Sequence, residues 1–363
     1  MINAEKNKRL VGIQYLRAIA ALMVAFAHIP QQIPIYAPRL TFPHFNRFTY
    51  GVDIFFIISG FIMVVTSRSI RPLEFMRRRI IRIVPLYWLL TLVMVALALI
   101  APSLFRTTVV TPMYVLKSLL FIPYPNPGQH GAMEPLLVPG WTLDYEMFFY
   151  AIFAAVLVAP ERYRLAINGA VLLLFIAVAS VAGPSFEVLK YLGSPRILEF
   201  WLGCLLGTLH NHRALRVPAP VAAGCVLFGF AALFANPEIP GWANWILMMA
   251  PPFAIVFGAA ALEQSGGVRA LKFPLLLGDA SFSTYLTHIF TLGFLRVVWV
   301  QLGLDRGTYF EPAAFVLASY ALIILVAVLV YAGLEQPMLR ILSGTAKKRS
   351  GPVSDQSGSK AVS

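Results

Sequence analysis

Arg17 and His28 stand eleven positions apart in the run Gly12 to Pro30, which otherwise carries the side chains of a membrane helix. Ionisable residues inside such a segment are costly and point to function. A helix turns ~100° per residue, so eleven steps bring His28 back to within ~20° of Arg17, with roughly 16 Å of rise between them. One cation and one proton acceptor would then line a single path at two depths.

Other ionisable groups can join them. Asp53 in Tyr50-Gly51-Val52-Asp53-Ile54-Phe55-Phe56, Glu146 in Trp141-Thr142-Leu143-Asp144-Tyr145-Glu146, and Arg196 with Glu199 fall at the ends of apolar runs that should lie level with His28. Carboxylates facing an imidazole orient it or hold it protonated, and an imidazole so placed takes a proton from a hydroxyl nucleophile. A simpler reading has Arg196 and Glu199 pairing at i and i+3 and Asp53 and Asp144 acting as interfacial caps. At this point both readings stand.

A second, basic constellation, Arg77-Arg78-Arg79-Ile80-Ile81-Arg82, leads into Val84-Pro85-Leu86-Tyr87-Trp88. Arg78 and Arg82 share a helix face, and planar guanidinium groups at a helix start suit phosphate oxygens. Topogenic charge accounts for Arg68 and Arg77, whereas Arg82 lies one turn inside the apolar run. His288, in Asp279-Ala280-Ser281-Phe282-Ser283-Thr284-Tyr285-Leu286-Thr287-His288, is expected to be a hydrogen-bonded structural residue. His210 and His212 are read as solvated residues of a loop.

The elements that must position these groups follow from composition. The chain is 59% hydrophobic and 12% charged, with a mean hydropathy of +0.75. Soluble domains are about 45–50% apolar and about 25% charged, so this is a polytopic membrane protein. Apolar runs of spanning length fall at 12–30, 50–67, 81–101, 143–159, 165–182, 196–210, 218–235, 243–262, 280–301 and 313–334. The expected fold is an all-α bundle of about ten transmembrane helices. Placing the N-terminus in the cytoplasm puts most of the 29 Lys and Arg residues on the inner side, which fixes both termini as cytoplasmic. The net charge of +13 is then topological; it suits anionic lipid headgroups and calls for no nucleic acid.

Arg17 argues against reading the first run as a cleaved leader, despite Ala25-Phe26-Ala27. Cys204 and Cys225 fall in separate spans and read as small buried residues, with neither a disulfide framework nor a metal site. The connection 102–142 holds seven prolines and should be a structured outer loop, in which Met113 to Ile122 is too short to span and lies in the interface or re-enters. Residues 1–342 form one membrane domain and 343–363 a disordered cytoplasmic tail. Any chemistry must take place within the bundle. Phosphates held by Arg82, Arg78 and Arg17 would leave a thioester on a long arm to reach His28, so coenzyme A chemistry fits the spacing; a proton-coupled transporter or flippase for a polysaccharide intermediate fits it also.

The ordered set of motifs resembles the integral-membrane acyltransferase family 3, and within it the bacterial exopolysaccharide acetyltransferases. The residues that carry the resemblance are Leu16-Arg17-Ala18-Ile19-Ala20-Ala21 with His28, Gly51 to Phe61, Arg78 to Arg82 with Pro85 and Tyr87, Trp141-Thr142-Leu143 with Glu146 and Tyr150, Arg196 to Phe200, Ser281 to His288, and Glu335-Gln336-Pro337. Thr142 stands where many members have Ser. The resemblance implies a multi-pass protein of the bacterial cytoplasmic membrane that moves an acyl group, acetyl in most members, from acyl-CoA to a sugar hydroxyl of an exopolysaccharide or its lipid-linked precursor. It implies Arg17 and His28 as the essential pair, Arg78, Arg79 and Arg82 as donor-binding residues and acetyl-CoA as donor; attack on a thioester is downhill enough to need no metal, and the sequence offers no ligand cluster for one. Asp53 and Glu146 then orient His28, while Trp141, Arg196, Glu199 and His288 face the acceptor. A homo-oligomer or a polysaccharide-assembly partner is left open.

Overall fold

A computed structural model describes residues 10–37, 46–102, 108–129, 132–235, 241–266, 268–305 and 310–349. Lys6, Lys8 and Arg9 of the basic start, and residues 350–363 of the expected tail, lie outside the described residues. The helices are α1 (Val11–His28), α2 (Ile33–Tyr36), α3 (Gly51–Thr66), α4 (Pro72–Ile100), α5 (Pro112–Leu119), α6 (Trp141–Val156), α7 (Glu161–Val181), α8 (Glu187–Leu192), α9 (Leu198–Asn211), α10 (Ala219–Ala235), α11 (Trp242–Ser265), α12 (Lys272–Asp279), α13 (Ser281–Gln301), α14 (Glu311–Val330) and α15 (Gln336–Arg349). Among the described residues there is no β-strand, only an isolated bridge between Pro125 and Met133. Six helical segments are long and apolar enough to cross a membrane: Val11–Tyr36, Asn46–Thr66, Pro72–Ile100, Glu161–Val181, Asn244–Ser265 and Glu311–Gly344. The protein is therefore an all-helical, multi-pass membrane protein.

Small residues set the closest helix contacts. Gly203 and Gly207 on α9 form a Gly-x-x-x-Gly stripe that lies directly on α3. A Cβ at Gly203 would meet the Ile57 carbonyl at 2.0 Å, and one at Gly60 would meet the Phe200 carbonyl at 2.0 Å. Lipid tails are as apolar as leucine, so helices in a bilayer gain from such close backbone approach rather than from burial alone. The α3–α9 pair thereby becomes the rigid centre from which Ser59 and Glu199 project.

The seat of α1 is also specified. Leu10 at its N-cap offers no side-chain hydrogen bond, and the Gly12 amide instead donates to the Glu263 carboxylate of α11. An acid at a helix N-terminus satisfies an orphan N–H and opposes the positive end of the dipole. One turn on, Tyr15 donates to the Arg269 carbonyl at 2.7 Å and accepts from the Leu271 amide at 2.7 Å. These contacts fix the rotation of α1, and with it the directions of Arg17 and His28.

The proline-rich connection is ordered where described. Thr111 caps α5 by accepting from the Tyr114 amide at 3.3 Å, and Pro112 takes the first helical position. Tyr87 and Trp88 of α4 donate to the carbonyls of Ser118 and Leu119 at 3.0 and 2.7 Å, and Tyr114 donates to that of Glu134 at 2.7 Å. The loop is thus clamped to α4 next to the first turn of α6. Pro85 lies inside α4 without ending it. Between α14 and α15, the five residues Tyr331–Glu335 form a π-helical turn, a local widening and under-winding often found at functional positions.

Candidate active site

A cavity of about 240 Å³ opens among α1, α3, α4, α6 and α13. Arg17, Arg79 and Arg82 reach it from α1 and α4, Ser59 from α3, Glu146 and Tyr150 from α6, and Tyr285 from α13. Three cations and one carboxylate in so small a space make it an anion-accepting chamber with a polar floor. Arg17 is partly buried, is hydrogen-bonded to Gln14 at 3.2 Å, and stands in the field of Arg82, Glu335, Asp279 and Glu146.

Each cation is differently held. Arg82 Nη1 lies 2.5 Å from Oε1 of Glu335, and Oε2 of the same carboxylate accepts from Ser283 Oγ at 2.5 Å. Glu335 is 1% exposed and closes the π-helical turn, whereas Arg82 keeps part of its guanidinium in the cavity, over the Phe282 ring. Arg79 lies over the rings of Phe75 and Tyr150 at 5.3 and 5.4 Å and donates to Thr66 Oγ1 at 3.2 Å. Arg78 instead points outward and pairs with Glu74 at 2.7 Å, as an exposed i,i+4 bridge.

Glu146 accepts from Ser59 Oγ at 2.7 Å and from the Tyr150 hydroxyl on the same oxygen. Asp53 is placed elsewhere. It pairs with Arg196 across the α3–α9 contact, Oδ1 to Nε 3.2 Å, and Arg196 also covers the Trp141 ring at 5.6 Å. Glu199, 1% exposed, completes this buried acid–base group, so Arg196 serves two carboxylates rather than its i+3 neighbour alone. Asp53 and Asp144 both sit in the first turn of their helices, but neither makes the side-chain cap expected of it, and Asp144 is 2% exposed.

The partner brought to His28 is His288. The two imidazoles meet edge to face with ring centroids 5.1 Å apart, at an interplanar angle of 80°. His288 Nδ1 lies 2.7 Å from the Tyr285 carbonyl. A carbonyl can only accept, so Nδ1 carries the proton and Nε2 presents its lone pair. That Nε2 has no hydrogen-bond partner among the described residues, and the ring is 1% exposed. Tyr285 joins this pair to the cavity: its carbonyl holds His288, while its hydroxyl shares a hydrogen bond of 2.9 Å with Thr142 Oγ1 at the cavity wall.

Sequence reasoning passed over Tyr285, Ser59 and the ionic role of Glu335. The Tyr285–His288 spacing of i and i+3 is a usable signal, since it places both on one helix face. His210 is half-buried against the Phe61 ring, centroids 5.3 Å apart, rather than solvated, because α9 extends to Asn211; His212 is exposed. Cys204 is buried and Cys225 half-buried, both as free thiols. Among the described residues no three His, Cys, Asp or Glu side chains converge as metal ligands.

Known proteins similar to this chain show its family. Residues 10–332 match the family model described as an acyltransferase domain. The chain is 42% identical over 314 residues to the exopolysaccharide production protein ExoZ of Rhizobium meliloti (strain 1021), an alignment covering 84% of this chain and 94% of that protein. It is 26% identical to the acyltransferase MdmB of Streptomyces mycarofaciens, over 92% of each chain. It is 25% identical over 327 residues to the O-acetyltransferase OatA of Staphylococcus aureus, covering 80% of this chain and 52% of that longer protein. No solved structure matches the chain.

Proposed function

Since this chain belongs to the acyltransferase 3 family and is an acyltransferase, we propose that it moves an acetyl group from cytoplasmic acetyl-CoA to a sugar hydroxyl of an exopolysaccharide or its lipid-linked precursor. The observation that carries the reading is the division of α1: Arg17 faces a chamber of cations, and His28, at the other end of the same helix, meets a second imidazole. In this reading the bundle has ten spans with both termini in the cytoplasm of a bacterial inner membrane. Arg17, Arg79 and Arg82 receive the donor's phosphates, and Arg78 steers the donor at the rim.

The acceptor hydroxyl gives its proton to His28 while its oxygen attacks the thioester carbonyl. The C–S bond breaks, the departing thiolate takes a proton, and the products are a sugar ester and the free coenzyme A thiol. His288 keeps the His28 ring in place and supplies a second lone pair for that proton. Glu146, fixed by two hydroxyl donors, holds the Arg17 side of the chamber in register with His28. Trp141, Arg196, Glu199 and Asp53 shape the acceptor side.

Purified protein, acetyl-CoA labelled in the acetyl group, and polysaccharide or membrane fractions test this. Label in carbohydrate with equimolar release of thiol is expected. Movement of the polysaccharide intermediate without thioester consumption would replace this reading with a transporter.

A further inference from the structure

A second cavity, of about 540 Å³, lies among the ends of α3, α6, α7 and α9. It has a distinct character at each level. Its walls are apolar, from Val64, Phe153, Leu157 and Leu165. Into it projects Asn168, 2% exposed, whose Oδ1 and Nδ2 both lack a hydrogen-bond partner among the described residues. A buried amide left unsatisfied at both atoms carries the full desolvation penalty of its polar groups unless something completes it. The rim is basic: Arg68, Arg162, Arg164 and His212 line it, against the single carboxylate of Glu161. Glu161 engages Arg68 at 3.0 Å, and Arg164 holds the carbonyls of Leu157 and Ala159 at 2.9 Å each, which leaves Arg162 over the Tyr163 ring as the most available cation.

We infer that this cavity binds an adenine nucleotide, base inward and phosphates at the rim. A phospholipid would insert its tails and leave Asn168 unanswered. A flat heteroaromatic base satisfies both levels, since an Asn amide matches the donor and acceptor of an adenine edge, and apolar walls take its faces. The order of groups, amide below, apolar in the middle and guanidinium above, is the order of base, sugar and phosphate.

The cavity lies one helical turn from the acyl-transfer chamber. Tyr150 lines the chamber and Phe153 the second cavity, about 4.5 Å further along α6, with Phe75 packed on both rings at 6.0 and 5.1 Å. Two sources of the nucleotide follow: the adenosine end of the acyl donor, its 3′-phosphate at the rim and its 5′-diphosphate directed to the chamber arginines, a case that rests on the function proposed above, or a free adenine nucleotide acting as effector.

Equilibrium binding of adenosine 3′,5′-bisphosphate to the full chain in lipid nanodiscs tests the inference without any acyl transfer. Saturable binding is expected, with ribose 5-phosphate, which lacks the base, failing to compete. Asn168→Leu should weaken it about tenfold or more. That variant removes an unpaired amide and should melt no lower than wild type; if it fails to fold, Arg162→Gln at the rim carries the test, with binding weakened severalfold. Competition by acetyl-CoA identifies the donor's own nucleotide, and equal binding of ATP without competition by acetyl-CoA identifies an effector. Absence of binding to wild type, or binding unchanged in both variants, overturns the inference. Binding without acyl transfer to any acceptor would count against the proposed function alone.

Discussion

The Arg82 guanidinium reaches Glu335 across 253 positions of sequence, Nη1 to Oε1 2.5 Å, and locks the start of α4 to the π-helical turn after α14. Because Glu335 is 1% exposed and Arg82 still lines the cavity, the pair both closes the bundle and presents a cation to the chamber. Arg82→Ala leaves that carboxylate with Ser283 alone, and breaking a buried pair from one side costs on the order of 3–5 kcal/mol. Arg82→Ala should therefore melt well below wild type, whereas Glu335→Gln, which still offers an oxygen to Arg82, should lose much less. Thermal unfolding of the purified variants checks this; equal losses would show that the pair does not hold the bundle.

His288 can be separated into its two nitrogens. Asn at this position keeps a donor for the Tyr285 carbonyl but removes Nε2, and so preserves the fold contact while losing the lone pair that faces the His28 group. Both His288→Asn and His288→Ala should reduce turnover about tenfold to a hundredfold, with protein levels retained for the Asn variant. Full activity in His288→Asn would reduce His288 to a structural role.

At the α3–α9 contact, a single methyl is enough to test packing. Gly60→Ala and Gly203→Ala each drive a Cβ to 2.0 Å from a carbonyl of the facing helix, so the helices must separate. Each should cost about 1–3 kcal/mol, seen as a lowered melting temperature. Gly224→Ala on α10, whose Cβ would meet nothing within 4 Å, is the control and should melt with wild type.

The buried group of Asp53, Arg196 and Glu199 should behave as one unit. Arg196→Gln strands two carboxylates and should destabilise strongly, and Asp53→Asn in the same chain should recover part of the loss. A double-mutant cycle on melting measures the coupling; strict additivity would mean that the two side chains do not interact.

The helical frame around this site is legible in the sequence. Arg17 and His28 are linked by one uninterrupted helix, so periodicity alone placed them on a common line, and the apolar runs marked where helices lie. The prolines of the connection point to a structured loop, and the helix Pro112–Leu119 lies in the segment that the sequence marks as too short to span. Pairings between helices were not legible, because they depend on how far each helix is rotated. Asp53 meets Arg196 at the α3–α9 glycine contact, so Arg196 serves a carboxylate of α3 as well as its i+3 neighbour Glu199. Glu335 reaches Arg82 through a π-helical turn, which shifts its direction from that of a regular helix, and no spacing rule anticipates this. The hydrogen bond of His288 to the Tyr285 carbonyl fits its reading as a hydrogen-bonded residue, whereas nothing along the chain reveals that α13 also turns it toward α1.

The most direct test of the central claim is acetyl transfer from labelled acetyl-CoA to carbohydrate by purified wild type and His28→Ala, at equal protein levels in the membrane. The account predicts label in carbohydrate with wild type and none above background with His28→Ala. Full labelling by His28→Ala would contradict it.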